Sequence, residues 1–496
     1  MVIFIHATII TVNSARQVIR DGYLHVRDGR IEGVGKCPPP DHLLQLTEMI
    51  DCTGQIIIPG LVNTHAHLVQ SLLRGLAEEL PLHNWLCDAI WPLESNYADD
   101  DGYHAARLTI AEMLKTGTTA FLDPMVTFRA GWEQVCRAVG EMGIRGCLGK
   151  LVKFPETNRQ LSITDPRDRD LVGMSSSALV RSHQEYHGQH KGRLHVWAAA
   201  GTPRGAPARL YQELGNICAS HGISITMHCA EAPADRDIYH TVYGCSSMEF
   251  IRDNKLCGQP LSSNTRGLTH NLVLAHMVNL DPEIDLPLLS STKAAVAHNP
   301  SSNLKLASGV APIPAMLDTA TSGPITVALG TDGAPCANHY DMIQEMHLAA
   351  ILHKGVNNNA ALVPAEIALE MATINGARAL GLEKDIGSLE VGKKADLVVL
   401  DPYGRGGIAA APWHWDDIGG VNPVTTVVHG CIGRDVSLVM VDGQILVRDG
   451  ELVHGGREKE REITQCAQTA IKAIRSRCKE AGTPIEGTLS SGWTSI

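Results

Sequence analysis

No stretch of the 496 residues comes near the roughly 18 consecutive apolar residues that a membrane-spanning helix needs. The opening residues, MVIFIHATIITVNSARQ, are apolar, but they are short, β-branched and lack the basic start of a secretory signal. A long basic run is missing too. Acidic and basic residues are mixed and sum to a net charge of -11, which argues against nucleic acid and anionic membranes as partners. The 13 cysteines are odd in number and never spaced C-x-x-C, so they read as scattered, reduced thiols of a cytoplasmic protein.

Several catalytic signatures are absent as well. There is no H-E-x-x-H, no G-x-S-x-G, and no H-x-E paired with P-C-x-x-C. Gly387–Lys394 nearly spells a P-loop but lacks the Ser or Thr that would bind magnesium. Gly404-Arg405-Gly406-Gly407 runs into Ile-Ala-Ala-Ala-Pro-Trp rather than an amphipathic helix, so it is no dinucleotide loop.

What is present is a hydrophobic content of 44%, enough for one large core. Residues 1–58 read as short strands with Asp-Gly turns, and 386–455 has the same texture, so the two ends are expected to build one small β-sandwich domain. Between them, apolar runs alternate with helix-length segments. They fall at 56–67, 117–124, 144–152, 194–204, 223–231, 272–278, 294–299 and 325–333. Eight such alternations predict an α/β fold, a (β/α)8 TIM-type barrel over 59–385, with function at the C-terminal ends of its strands. The polar stretches 153–192 and 253–269 read as loop-like insertions, and 456–496 as a terminal helix with a tail.

Chemistry-bearing side chains recur at those strand ends. His65 and His67 follow the run Ile56-Ile57-Ile58; placed two apart on extended chain, both imidazoles leave the same face. His228 and Glu231 end the fifth run, His276 the sixth, His298 the seventh and Asp332 the eighth. One such residue alone is ordinary, but barrel strand ends converge on one mouth. Three histidines and an aspartate there suit a divalent metal with one position left for water.

The chain resembles the amidohydrolase superfamily, in the branch that holds S-adenosylhomocysteine/adenosine-type deaminases, guanine deaminase and the s-triazine hydrolases. The resemblance rests on PGLVNTHAHLVQSLLRG at 59–75, GTT at 117–119, HCAE at 228–231, AHNPSSNLKLASGVAP at 297–312, LGTDG at 329–333 and ATINGARALGL followed by IGSLEVGKKADLVVLD at 372–401. It implies one divalent metal per chain, zinc with iron as the alternative, held by His65, His67, His228 and Asp332. Glu231 would shuttle the proton, with His276 orienting the attacking water and Asp332 hydrogen-bonding it. Bimetallic relatives use a lysine on strand four, and 194–204 contains none; Lys150 lies on strand three. The reaction implied is hydrolytic deamination of a nitrogen heterocycle, with a small-molecule heterocyclic substrate and water as partners and a homodimer or higher homo-oligomer as the assembly.

For the substrate, Gln70 and Arg204 resemble the pair with which guanine deaminase grips a purine's oxo edge, so a guanine-like oxopurine is the first expectation. Arg supplies a fixed donor fork, and Gln supplies a donor and an acceptor together. An adenosine- or S-adenosylhomocysteine-type substrate is the alternative, because Glu94 matches a ribose-binding Glu of those enzymes. A triazine hydrolase comes next, and a non-catalytic scaffold is remote because the four ligands are all present. Trp85 and His298 complete the candidate substrate-binding set.

Overall fold

The computed structural model describes residues 1–43, 48–155, 157–158, 163–258, 260–262, 265–318, 323, 325–402 and 422–483. Eight short apolar runs form a parallel sheet in chain order: Leu61–Asn63, Thr118–Val126, Arg145–Leu151, Leu194–Ala199, Ile225–Cys229, Leu272–His276, Ala295–His298 and Thr326–Leu329. Strands covered on both faces need no alternation, which is why these runs are almost continuously apolar. The sheet closes on itself between its first and last strands. Just past Asn63, the Thr64 N–H and hydroxyl both donate to the Leu329 carbonyl, at 2.9 and 2.8 Å.

The chain ends form a second, nine-stranded sheet that includes Val2–Ile10, Val18–Arg27, Arg30–Lys36, Leu397–Leu400, Val436–Val441 and Gln444–Arg448. It has its own core, in which Phe4, Leu24, Ile57, Leu397 and Met440 meet. The Ile56-Ile57-Ile58 run belongs here rather than to the barrel. Ile56–Pro59 pairs parallel with Val2–Ile10 and antiparallel with Leu397–Leu400, and the barrel strand starts only at Leu61. Gly60 is the pivot between the two. A Cβ there would lie 2.0 Å from Thr119 Oγ1, so only glycine lets the chain pass.

Charge pairs fasten the two sheets at the lower end of the barrel. Arg145, at the start of the third barrel strand, donates twice to Asp396, both bonds at 3.0 Å. Asp442 faces Arg145, Arg193 and Lys394 at 3.3–3.8 Å.

The stretch 153–192 is not a loop. It carries a short hairpin, Thr157–Asn158 with Ile163–Thr164, a 3-10 turn over Pro166–Asp170 and an α-helix over Ser176–Tyr186. Ser175 caps that helix by accepting from the Ala178 N–H, and Ala178 and Leu179 supply its buried face. Few apolar residues suffice there, which is how its polar composition concealed it. Segment 253–269 likewise holds two short antiparallel strands, Pro260–Ser262 and Thr265–Leu268.

The terminal helix, Gly456–Glu480, buries Ile463, Ala467, Ala470, Ile474 and Cys478 along one stripe against the helix Asp101–Lys115. Arg107–Glu462 and Lys115–Glu460 pairs, each at 2.6 Å, hold it there. The expected tail and the Gly404–Gly407 stretch lie outside the described residues. Among the described residues, no helix is long and apolar enough to cross a membrane.

Candidate active site

The upper ends of the barrel strands are tied together before any functional side chain is placed. The Asn63 carboxamide accepts from the Thr331 and His65 N–H groups at 3.2 and 3.3 Å and donates to Thr331 Oγ1 at 2.8 Å. The Asp332 N–H donates to the His65 carbonyl at 2.8 Å, and the Tyr340 hydroxyl to the His67 carbonyl at 2.6 Å. The first and eighth strand exits are thus pinned against each other. His65 and His67 lie in the bend beyond Asn63 rather than on a strand, with their rings 5.2 Å apart and nearly perpendicular. The bend beyond Asn63, not strand alternation, sets the direction of the two imidazoles.

Non-glycine residues in the left-handed backbone region gather at these exits: Ala230 (φ 48°), His276 (φ 76°), Met277 (φ 47°) and Asp332 (φ 65°). Such conformations persist only where the surroundings over-determine them, and they cluster at functional sites.

The side chains they present form one buried cluster. His67 Nε2 lies 3.3 Å from both His228 Nε2 and Asp332 Oδ1, and His65 Nε2 lies 3.5 Å from the same Asp332 oxygen. Donors at about 2.0–2.1 Å around a tetrahedral ion stand roughly 3.3–3.4 Å apart, so these spacings fit one divalent ion. Neither ring nitrogen of His65, fully buried, makes a hydrogen bond. Burial drives His65 down to about 4 and His228 well below its ordinary value, which favours neutral imidazoles. Burial opposes charge on His67 as well, but Asp332, Asp123 and Glu94 outweigh it and raise its pKa. Asp332 is also buried, yet the His65 and His67 imidazoles hold its carboxyl well below the usual range. Four donors of this kind offer the set that a borderline-soft cation prefers.

Glu231 and His276 flank the cluster. His276 Nε2 stands 3.7 Å from Glu231 Oε2 and 3.8 Å from Asp332 Oδ2. On its other side, Nδ1 lies 2.8 Å from Asn303 Oδ1 and 3.3 Å from Asn299 Nδ2. The shorter contact assigns the proton to Nδ1 and leaves Nε2 an acceptor. Burial pushes the Glu231 carboxyl up to about 7, where a group can both take and give a proton near neutrality.

A cavity opens above, with His67, His228, Glu231 and Asp332 in its floor and Gln70, Trp85, Glu94 and Arg204 in its walls. Strand four stops at Ala199, so Arg204 reaches the cavity from the following loop rather than from the strand end. His298 does not line it. Its buried ring packs behind the wall, with Nε2 3.2 Å from His353 Nε2. Lys150 Nζ lies over the Trp132 ring, 5.0 Å from its centroid and away from the cavity lining, so it cannot bridge a second ion in the mouth.

The structure adds residues that the sequence reading passed over. Arg167, in the run Asp165-Pro166-Arg167-Asp168-Arg169-Asp170, reads as part of a solvated charge string but is buried. It donates to Glu94 Oε2 at 2.6 Å and lies over Trp91, 4.8 Å from the ring centroid. Lys153 lines the same cavity and pairs with Asp165 at 3.2 Å. Ser302 donates to Asp332 Oδ2 at 2.6 Å, and Asp123 accepts from the Leu68 N–H at 3.0 Å. Ser302 and Asn303 were within sight, since both stand in the AHNPSSNLKLASGVAP motif.

Imidazoles, an aspartate and a buried glutamate gather at the C-terminal mouth of a parallel barrel, a donor set that could hold a metal. The amidohydrolase family's sequence profile matches residues 56–453, and the chain belongs to that family. It is 34% identical over 437 residues to a 5-methylthioadenosine/S-adenosylhomocysteine deaminase of Moorella thermoacetica, covering 88% of this chain and 92% of that protein. It is likewise 34% identical to a 5'-deoxyadenosine deaminase of Methanothermobacter thermautotrophicus, with 88% and 91% covered. A zinc-bound adenosine deaminase from Xanthomonas campestris superposes with a TM-score of 0.79 at 25% identity, over 96% and 98% of the two chains.

Proposed function

We propose that the protein is a metal-dependent aminohydrolase that deaminates an adenosine-type nucleoside substituted at its 5' position. The observation that carries the reading is the end-to-end likeness to relatives named for such substrates, at 31–34% identity. It reverses the expected order of substrates, in which a guanine-like oxopurine came first. The cavity supports the change. Gln70 Nε2 is spent on Glu94 Oε1 at 2.9 Å, and Gln70 Oε1 abuts Gly333, where a Cβ would lie 2.0 Å away. The amide's donor is therefore committed to the wall and only its buried Oε1 is left without a hydrogen bond, while Glu94, the residue matched to ribose binding, faces the cavity. Glu94 accepts from Gln70 at one oxygen and from Arg167 at the other, and a carboxylate has about four acceptor sites, so capacity for a diol remains.

His65, His67, His228 and Asp332 would hold the metal, most plainly zinc given the donor set. When bound there, a divalent ion activates water for attack at neutral pH. Glu231 takes the water proton and passes it to the purine ring nitrogen, so that no free ring anion forms as the tetrahedral carbon appears. His276 Nε2 accepts a hydrogen bond from the attacking water and orients it. Ser302 steadies the second Asp332 oxygen. Glu231 then carries the proton of the newly added hydroxyl to the amine; the C–N bond breaks, ammonia leaves, and the oxo product keeps its ring N–H.

The test is ammonia release over 5'-methylthioadenosine, S-adenosylhomocysteine, 5'-deoxyadenosine, adenosine, guanine, pterins and s-triazines. The adenosine types should exceed guanine in kcat/KM. Guanine outperforming all of them would restore the oxopurine reading, which Gln70 and Arg204 support by lining one cavity. Arg204→Ala would then remove most kcat/KM on oxopurines.

A further inference from the structure

Glu231 is the one residue whose carboxylate must move a proton between two partners, so its placement matters more than its burial. It stands just after the strand Ile225–Cys229, in a turn whose backbone is not part of any ladder. Two features fix that turn. Asn279 Nδ2 donates to the Glu231 carbonyl at 2.7 Å. On the other side, Asp235 Oδ2 accepts from the N–H groups of both Glu231 and Ala232, at 3.2 and 3.1 Å.

Asp235 is fully buried on the helix Pro233–Ile238. Its other oxygen, Oδ1, makes no hydrogen bond and stands 3.5 Å from His83 Nε2. His83 belongs to the turn Leu82–Asn84, and Leu82, Trp85 and Leu86 around it line the cavity. One carboxylate thus touches the backbone of the proton shuttle with one oxygen and the segment carrying Trp85 with the other. A buried Asp is costly unless partnered, and the Ala232 contact also caps the helix Pro233–Ile238.

We infer that Asp235 is a positioning residue for the reaction, holding the Glu231 carboxylate at its working point and registering the 82–86 wall against it. This rests on the proposed deaminase reading, since a positioned proton shuttle has meaning only if Glu231 moves protons. Displacing a catalytic group by about 1 Å costs on the order of 10²-fold.

The experiment uses the metal-loaded, full-length enzyme and its best substrate from the ammonia screen. Wild type, Glu231→Gln, Asp235→Ala and Asp235→Asn are compared for kcat, KM, metal content and thermal unfolding. Asp235→Ala should lower kcat on the order of 10²-fold, with KM within about threefold and metal content unchanged. Asp235→Asn keeps a side-chain oxygen for the two N–H groups and should recover at least about tenfold of that loss. The inference is overturned if Asp235→Ala turns over like wild type, if Asn is no better than Ala, or if the loss comes with loss of metal or of the folded state. Absence of deamination in wild type, or full activity in Glu231→Gln, would instead overturn the deaminase reading itself.

Discussion

Two buried charge clusters sit at opposite ends of the same barrel, and they are built on opposite plans. At the lower end Arg145 and Asp396 meet through two parallel bonds of 3.0 Å, and the Asp442 N–H donates to the same Asp396 carboxylate at 2.8 Å. At the upper end His65 has two buried nitrogens without hydrogen bonds, and His276 Nε2 and Gln70 Oε1 lack them too. The Arg145–Asp396 pair is satisfied by direct bonds and joins two sheets, although Arg193 Nε beside it makes no hydrogen bond. The upper cluster gathers buried donors and acceptors around one cavity, an arrangement that an ion, a water and a substrate could satisfy. Buried polar density alone does not mark a site; unmet polar capacity beside one cavity is the stronger pointer.

The sharpest way to break this contrast is to delete an upper ligand. His65→Ala or His228→Ala should abolish both metal binding and turnover while leaving the fold intact, as read by metal analysis and circular dichroism. Next, Glu231→Gln should retain the metal and lose about 10²–10⁴-fold in kcat. A lower-end substitution should do the reverse. Arg145→Ala strands a buried carboxylate and should cost about 3–5 kcal/mol in denaturant unfolding, with metal per folded chain unchanged. A smaller effect is expected from Ser302→Ala, which loosens Asp332 and should weaken metal affinity by about 10–100-fold in a competitive chelator titration.

The smallest effect concerns Glu345, wholly buried beneath the 300–305 helix, where it accepts from the Ser301 N–H at 3.3 Å. Burial pushes its carboxyl from the ordinary 4.5 up to about 8, although Ser301 pulls the other way. A carboxyl that binds its proton more tightly when folded destabilises the fold progressively as pH rises from about 4.5 to about 8. Glu345→Gln should therefore raise Tm at pH 8 and leave it unchanged near pH 4.5. Equal shifts at both pH values would mean that the group is ionised throughout.

Much of the upper cluster could be read from sequence because barrel topology turns scattered motifs into neighbours. His228, His276 and Asp332 are far apart in the chain, yet each stands at or just past the end of an apolar run. What escaped did so for physical reasons. Ile56-Ile57-Ile58 and Leu61-Val62 look alike because a strand buried on both faces has no period, so nothing local says which sheet each joins. Arg167 and Lys153 sit among polar residues, and composition cannot show that Glu94, Asp165 and Trp91 will enclose them. His298 met the strand-end rule but faces His353 on the helix Met342–Val356 instead of the cavity.

The pivot at Gly60 has a consequence for the order in which the molecule is made. Ile56–Pro59 is braced on one side by residues near the amino terminus and on the other by Leu397–Leu400. His65 and His67 emerge early from the ribosome, but the strand that leads to them lacks one of its two neighbours until some 340 residues later. Asp332 arrives before that brace does. Metal capture by the proposed ligands should therefore depend on that brace: a fragment ending before Leu397 should contain His65, His67, His228 and Asp332 and still hold the ion poorly.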